Sequence, residues 1–121
     1  MSGDVSVYEL FTSARLHLSD GDPNEAVPLL ERARDIEPDK GSIREALGVA
    51  YLRTRRYLAA EVELAMAVEL APNDAYAYFL LGRAQEGLGR IPLARGSYKL
   101  ATWLEPESET YREALARLPA G

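Results

Sequence analysis

Two identically spaced sets of aromatic and basic residues are the parts of this chain best suited to bind a ligand. Each set has a Tyr, a Phe and an Arg, and the second set follows the first by 68 residues: Tyr8, Phe11 and Arg15, then Tyr76, Phe79 and Arg83. On a helix this spacing places the three side chains on one face, and aromatic and Arg side chains dominate the energetics of protein interfaces. The pattern favours a surface that binds a protein or peptide. The alternative is that the rings only fill gaps between packed helices.

Residues for catalysis or metal binding are scarce. The chain has no Cys and a single His, His17, which excludes thiolate chemistry and a His/Cys metal cluster. We expect His17 to be packed and hydrogen-bonded. The glycines form no phosphate-binding loop after a strand, and Glu61 and Glu63 are too close along a helix to share a face. We therefore expect a protein that is not an enzyme and that uses no metal and no cofactor.

Charge and hydropathy exclude two further classes of partner. The formal net charge is −5 and no segment is strongly basic, so we expect no nucleic acid partner. The longest uncharged stretch, 75–82, has 8 residues, whereas a membrane-spanning helix needs about 20. The N-terminus lacks the basic and apolar regions of a signal peptide, so we expect a cytoplasmic protein. Twelve Arg against two Lys, with abundant Ala and Leu, would fit a GC-rich bacterial genome.

A period of 34 residues organises the chain into three units, 7–40, 41–74 and 75–108. Small residues and prolines recur in register: Ala26, Ala60 and Ala94, then Ala33, Ala67 and Ala101, then Pro38, Pro72 and Pro106. A fixed period between 20 and 50 residues is typical of solenoids, in which each unit buries its apolar face against the next. The sequence therefore predicts a repeat protein, with 1–121 as a single domain.

The unit resembles the tetratricopeptide repeat, a helix–turn–helix with Leu-Gly and Tyr in its first helix and small residues and a closing Pro in its second. The middle copy matches at Leu47, Gly48, Tyr51, Tyr57, Ala60, Leu64, Ala67 and Pro72, and the third at Tyr78, Leu81, Gly82, Ala94, Tyr98, Ala101 and Pro106. The first copy is looser, with Ser13, Ala14 and His17 in place of Leu, Gly and Tyr. The resemblance implies an all-α, right-handed α-solenoid of three repeats, with a seventh helix, about 107–118, as a cap.

Capping residues and prolines predict where the helices begin and end. We expect a first helix from Val5 or Ser6, a second behind Asp22 with a bend or a late start at Pro28, and a third behind a Ser42–Glu45 capping box. Asn73 or Asp74 should cap the fifth helix. The predicted ranges are about 5–19, 23–36, 42–54, 57–70, 75–87, 91–104 and 107–118.

The resemblance also implies that the first helix of each repeat lines a concave groove. The residues predicted to bind a peptide there lie at the spacing complementary to the packing residues: Tyr8, Phe11, Arg15, Leu18, Glu45, Val49, Leu52, Arg53, Tyr76, Phe79, Arg83 and Glu86. Relatives that bind chaperone tails use Lys and Asn on this face, and these first helices have neither. We therefore predict an interaction module, acting as a scaffold, adaptor or co-chaperone, whose partner carries apolar and acidic groups.

Trp103 predicts a possible second interface. It stands where the sister copies have Asp35 and Glu69, so its register position is otherwise polar. Two interpretations remain open, a contact with the capping helix and an interface such as a homodimer. The alternative function is accordingly a structural subunit that assembles with itself through Trp103 or through an end face.

Overall fold

The computed structural model describes residues 5–120, and all regular structure in them is helical. Seven helices lie in this range: α1 Val7–Ser19, α2 Pro23–Ile36, α3 Gly41–Arg53, α4 Tyr57–Leu70, α5 Ala75–Gly87, α6 Ile91–Leu104 and α7 Glu109–Arg117. Each 34-residue unit forms one pair of neighbouring helices, and α7 follows the third pair. The predicted all-α solenoid of three helix pairs and a seventh helix is confirmed.

Three helices begin at a polar side chain that accepts a hydrogen bond from their first turn. Ser6 caps α1 in a complete capping box with Glu9, and this lowers the pKa of Glu9 through the backbone and side-chain hydrogen bonds of Ser6. Asp74 caps α5, as predicted, and Ser108 caps α7. Side-chain oxygens at this position satisfy backbone N–H groups that have no partner inside the helix.

Two predictions about helix starts are wrong. The capping box at Ser42 does not form, because α3 already begins at Gly41 and places Ser42 inside its first turn. A late start at Pro28 is also excluded, because α2 begins at Pro23 and continues past Pro28 to Ile36. Pro23 in the first turn lacks only an N–H that would have had no partner there. The turn before α3 therefore ends one residue earlier than its polar residues suggest.

Small residues set how closely the two helices of a repeat approach. A Cβ added to Gly48 would lie 2.5 Å from Leu64 Cδ2, and one added to Gly82 would lie 2.5 Å from Tyr98 Cε1. Ala60 is fully buried in the same layer. Because these positions carry little or no side chain, the large residues of the second helix fill the space between the helices.

Neighbouring repeats pack through two layers of contacts. The second helices α2, α4 and α6 contact the next first helix, and α1, α3 and α5 contact one another in sequence. Two ion pairs on one buried carboxylate join three helices: Glu63, 4% exposed, accepts from Arg34 at 2.7 Å and from Arg44 at 2.8 Å. A buried charge is tolerated only when it is paired in this way.

Helix α7 covers the last repeat with an apolar side and leaves a polar side outward. Tyr111, Ala114 and Leu118 are buried, whereas Arg112 and Glu113 are exposed. A solenoid needs such a terminal element because the last repeat has no further neighbour to cover it. Among the described residues, no helix is long and apolar enough to cross a membrane.

Candidate partner-binding face

Helix α1 presents an aromatic and cationic depression. The guanidinium carbon of Arg15 lies 5.7 Å from the centre of the Phe11 ring, within the range of a cation–π interaction. Tyr8 is 77% exposed, and Phe11 is half-buried against the cluster of Leu10 and Ile43. The depression measures about 570 Å³ and is lined by Tyr8, Phe11, Thr12, Arg15, Leu16 and Ser19.

Helix α5 repeats the arrangement with a buried ring. The guanidinium carbon of Arg83 lies 5.8 Å from the centre of the Phe79 ring. Phe79 itself is only 9% exposed, and its ring centre lies 5.8 Å from that of Tyr98 and 5.1 Å from that of Tyr111. It packs the third repeat against α7, which corrects the ligand-anchoring role that we predicted for it. Tyr76, stacked on Phe79, remains 44% exposed.

The central helix α3 contributes apolar side chains and a protonated carboxyl. Val49 and Leu52 are half-buried and pack on the core. Glu45 is hydrogen-bonded to Asp74, and burial, together with that hydrogen bond and the nearby charge of Asp74, raises the pKa of Glu45 to about 8. Burial and the proximity of Glu45 also raise the pKa of Tyr76. At neutral pH Glu45 is therefore mostly protonated, and its carboxyl donates a hydrogen bond to Asp74.

Two predicted ligand contacts are partly used inside the protein. Arg53 donates to the carbonyl of Leu18 at 2.8 Å and thereby joins α3 to α1. Glu86 accepts from the hydroxyl of Tyr98 at 2.7 Å and from Arg117 at 2.5 Å. Burial alone would raise the pKa of Glu86, but these hydrogen bonds outweigh it and lower the pKa. Arg53 and Glu86 therefore hold helices together, a role that we had not predicted. Leu18, another residue of the predicted set, packs on the core.

The exposed part of the predicted set therefore lies on one side of the first helices. We call the first-helix face the surface of α1, α3 and α5 that carries Tyr8, Arg15, Val49, Tyr76 and Arg83. It carries two exposed arginines, Arg15 on α1 and Arg83 on α5. Val49, which is half-buried, holds the equivalent position of α3. No group of His, Asp and Glu side chains in residues 5–120 is arranged to hold a metal ion.

Helix α7 continues this face, which the sequence reasoning missed. Arg117 follows Arg83 by 34 residues, and Thr110 and Glu113 follow Tyr76 and Phe79 by the same interval. A depression of about 360 Å³ between α5 and α7 is lined by Phe79, Arg83, Thr110, Glu113, Ala114 and Arg117. Extending the 34-residue register beyond the third unit would have identified these positions.

Trp103 lies away from this face, on α6. It is 78% exposed, so the contact with the capping helix that we considered does not bury it. Leu93 and Leu100 are also exposed, at intervals of seven and three residues that place them on the same side of α6 as Trp103. The exposure of Trp103 leaves open the other interpretation, in which Trp103 forms an interface such as a homodimer.

Comparison with known proteins gives one family. A model of the tetratricopeptide repeat family matches residues 17–84, which is more than half of the chain. Superkiller complex protein 3 of Mus musculus is 34% identical over 84 residues, which make up 69% of this chain and 5% of that protein. The chain thus spans about 5% of the length of the curated relative that it matches.

Solved structures agree with the fold. The first TPR of Spaghetti (RPAP3), bound to the HSP90 peptide SRMEEVD, is similar with a TM-score of 0.87 at 22% identity, over 92% of this chain and 88% of that one. MamA from Desulfovibrio magneticus is similar with a TM-score of 0.88 at 26% identity, over 91% of this chain and 62% of that one. At these identities the likeness to RPAP3 shows the fold alone.

Proposed function

The chain belongs to the tetratricopeptide repeat family, and we propose that it is an interaction module that binds a partner segment on its first-helix face. The observation that carries this proposal is the open depression on α1, where Arg15 lies over Phe11 beside the exposed ring of Tyr8. An exposed Tyr ring next to a guanidinium offers apolar contact and a hydrogen-bond donor together, which is the composition of interface hot spots. The tetratricopeptide fold is a non-catalytic, protein-binding fold, which agrees with this role.

The chemistry of the face favours a partner with apolar and acidic groups. The guanidinium groups of Arg15 and Arg83 are exposed, and a guanidinium holds a carboxylate through two parallel hydrogen bonds. Val49 and the edge of Phe11 supply apolar surface between and beside them. RPAP3 carries an HSP90 peptide that contains two Glu and one Asp, but α1, α3 and α5 of this chain have no Lys. We therefore propose a scaffold or adaptor whose ligand is an acidic, partly apolar segment.

Partner capture tests the proposal directly. The tagged chain, its Tyr8→Ala/Arg15→Gln double variant and a Trp103→Ala variant would be used in parallel to capture proteins from lysate of the source cell. Both sets of substitutions alter exposed side chains, so helix content should stay unchanged in circular dichroism. We expect the double variant to lose the partner and Trp103→Ala to keep it. Capture that survives in the double variant would show that α1 is not the binding surface.

A second candidate function is assembly of the chain with itself. Trp103, Leu93 and Leu100 are all exposed on α6, and a solvent-exposed Trp beside two Leu is a costly surface unless something covers it. The mass of the purified chain, measured by light scattering over a range of concentrations, tests this function. A mass that rises with concentration and returns to that of a monomer in Trp103→Ala would support assembly. A monomeric mass throughout would refute it.

A further inference from the structure

The 34-residue register places two arginines side by side at only one point of the first-helix face. Arg15, Val49, Arg83 and Arg117 occupy the same position in successive first helices, with α7 taking the place of a fourth one. Val49 separates Arg15 from the next arginine, whereas Arg83 and Arg117 follow each other directly. This register position therefore lets the guanidinium groups of Arg83 and Arg117 converge on one ligand group between α5 and α7.

A depression lies where these two arginines meet. It measures about 350 Å³ and is lined by Tyr57, Arg83, Glu86, Gly87 and Arg117. The ring of Tyr57 forms one wall because Gly87 has no side chain: a Cβ at Gly87 would lie 2.5 Å from Tyr57 Cδ1. The absence of a side chain at Gly87 thus admits an aromatic ring from α4 beside the two cations.

The charges around this depression favour an anion. Arg117 is paired with Glu86, whereas Arg83 forms no ion pair with any carboxylate of residues 5–120. Two Arg and one Glu leave a local charge of 2 − 1 = +1 on a chain of net charge −5. Glu113 lines the depression of about 360 Å³ on the other side of Arg83 and Arg117, so an anion is favoured on the Tyr57 side.

We propose that the depression between Tyr57, Arg83 and Arg117 binds a carboxylate of the partner segment, an inference that rests on the proposed function. The guanidinium of Arg83 donates two parallel hydrogen bonds to the carboxylate, and Arg117 supplies a second cation while it stays bonded to Glu86. The ring of Tyr57 packs against the carbon atoms next to the carboxylate. The carboxylate belongs either to an acidic side chain or to the C-terminus of the partner.

Small probes test this site without a partner protein. The ¹⁵N-labelled chain would be titrated with N-acetyl-leucine, which has a free terminal carboxylate, and with N-acetyl-glutamate methylamide, which has only a side-chain carboxylate. N-acetyl-leucinamide is the neutral control. We expect the carboxylate probes to shift the backbone signal of Gly87 and the Nε–H signals of Arg83 and Arg117, and the neutral amide to leave them in place. The probe that binds more tightly identifies the source of the carboxylate.

Matched variants locate the binding. Arg83→Gln should lower the affinity for the carboxylate probes by about tenfold, which is the loss expected for one charge-assisted bidentate pair. Arg32→Gln, at an exposed arginine of the second helix α2, should leave the binding of the probes unchanged. Gly87→Ala should also lower the affinity for the carboxylate probes, because the new Cβ would push the Tyr57 ring into the depression. Gly96→Ala is the control and should have no effect, because its new Cβ meets no atom within 4 Å.

Three results would overturn the site: equal shifts with the neutral amide, unchanged affinity in Arg83→Gln, or an equal loss in Arg32→Gln. Circular dichroism on each variant separates loss of binding from loss of folding. Since the probes need no partner, a failure here would leave the result of partner capture standing. Conversely, capture that survives in the Tyr8→Ala/Arg15→Gln variant would refute binding at α1 and leave the result of the titration standing.

Discussion

Replacing Glu45 by Gln should stabilise the protein at alkaline pH and leave its stability unchanged near pH 5. Glu45 shares one proton with Asp74, and its pKa rises from 4.5 to about 8 mainly because it is buried. Two tyrosines lie near this pair, Tyr76 on α5 and Tyr111 on α7. Burial is the main cause that raises the pKa of each, followed by Glu45 for Tyr76 and by Glu105 for Tyr111. A Gln at position 45 would donate to Asp74 at every pH, because its amide does not titrate.

The sign and size of the effect follow from the two pKa values. The folded state binds the proton more tightly than the unfolded state, so the contribution of Glu45 to stability is complete below pH 4.5 and is lost as pH rises toward 8. For a fully buried group, the difference between a pKa of 4.5 and one of about 8 would correspond to a loss of about 4 to 5 kcal/mol in the free energy of unfolding. Glu45 is only half-buried, and screening by water reduces the loss to about 2 kcal/mol. Glu45→Gln should recover that amount above pH 8.

Urea unfolding followed by circular dichroism between pH 5 and pH 9 measures this difference. Glu9→Gln is the matched control, because Glu9 is a fully exposed carboxylate whose pKa is lowered by the capping box. The contribution of Glu9 is present above its unfolded pKa and lost as pH falls, so Glu9→Gln should give no gain at high pH. Parallel pH profiles for wild type and Glu45→Gln would refute the shared proton.

Four further substitutions test the backbone conformation and the packing, each by urea unfolding. Arg55 has φ of 60° where the sister turns have glycine, so Arg55→Gly should stabilise by about 0.5 to 1 kcal/mol. The reverse change, Gly89→Ala, should destabilise by about 1 kcal/mol through the backbone alone, because no atom lies within 4 Å; equal stability would contradict this reasoning. Gly48→Ala should cost about 1 to 3 kcal/mol by overpacking Leu64, and a neutral result would mean that Leu64 can move aside. Phe79→Ala should cost about 3 to 5 kcal/mol, whereas a cost below about 1 kcal/mol would restore Phe79 as a surface residue.

The architecture could be predicted because its signals are local and repeated. A period of 34 residues fixes how many helix pairs there are, and the same small residues mark the crossing in each pair. The errors at Ser42 and Pro28 arise where two local signals compete. Ser42 can cap a helix or lie in its first turn, and Pro28 is tolerated inside α2 because one lost hydrogen bond is outweighed by packing of the rest of the helix on its neighbours.

The face could be predicted only in part, because periodicity tells which side of a helix a residue occupies but not what covers that side. Phe11 and Phe79 hold equivalent positions, yet Phe11 borders an open depression and Phe79 lies beneath Tyr111. The difference comes from α7, whose bulky Tyr111 takes the place that Ile43 and Ala77 hold in the preceding first helices. The same helix supplies Arg117, so a residue set drawn only from the three complete repeats misses one wall of the site.

The position shared by Phe11, Glu45 and Phe79 explains why the first-helix face is divided. In the outer repeats a ring fills this position and packs toward the next first helix, which leaves an Arg above it free to meet a ligand. In the middle repeat a carboxyl fills it, and only a proton shared with Asp74 allows two acidic groups to lie there together. An acidic ligand therefore meets cations at both ends and, in the centre, the Glu45 carboxyl, which is mostly protonated below its pKa of about 8. Raising the pH would add a negative charge between the two cationic regions. This should weaken the binding of a ligand that spans both regions and leave unchanged the binding of a ligand that occupies only one end.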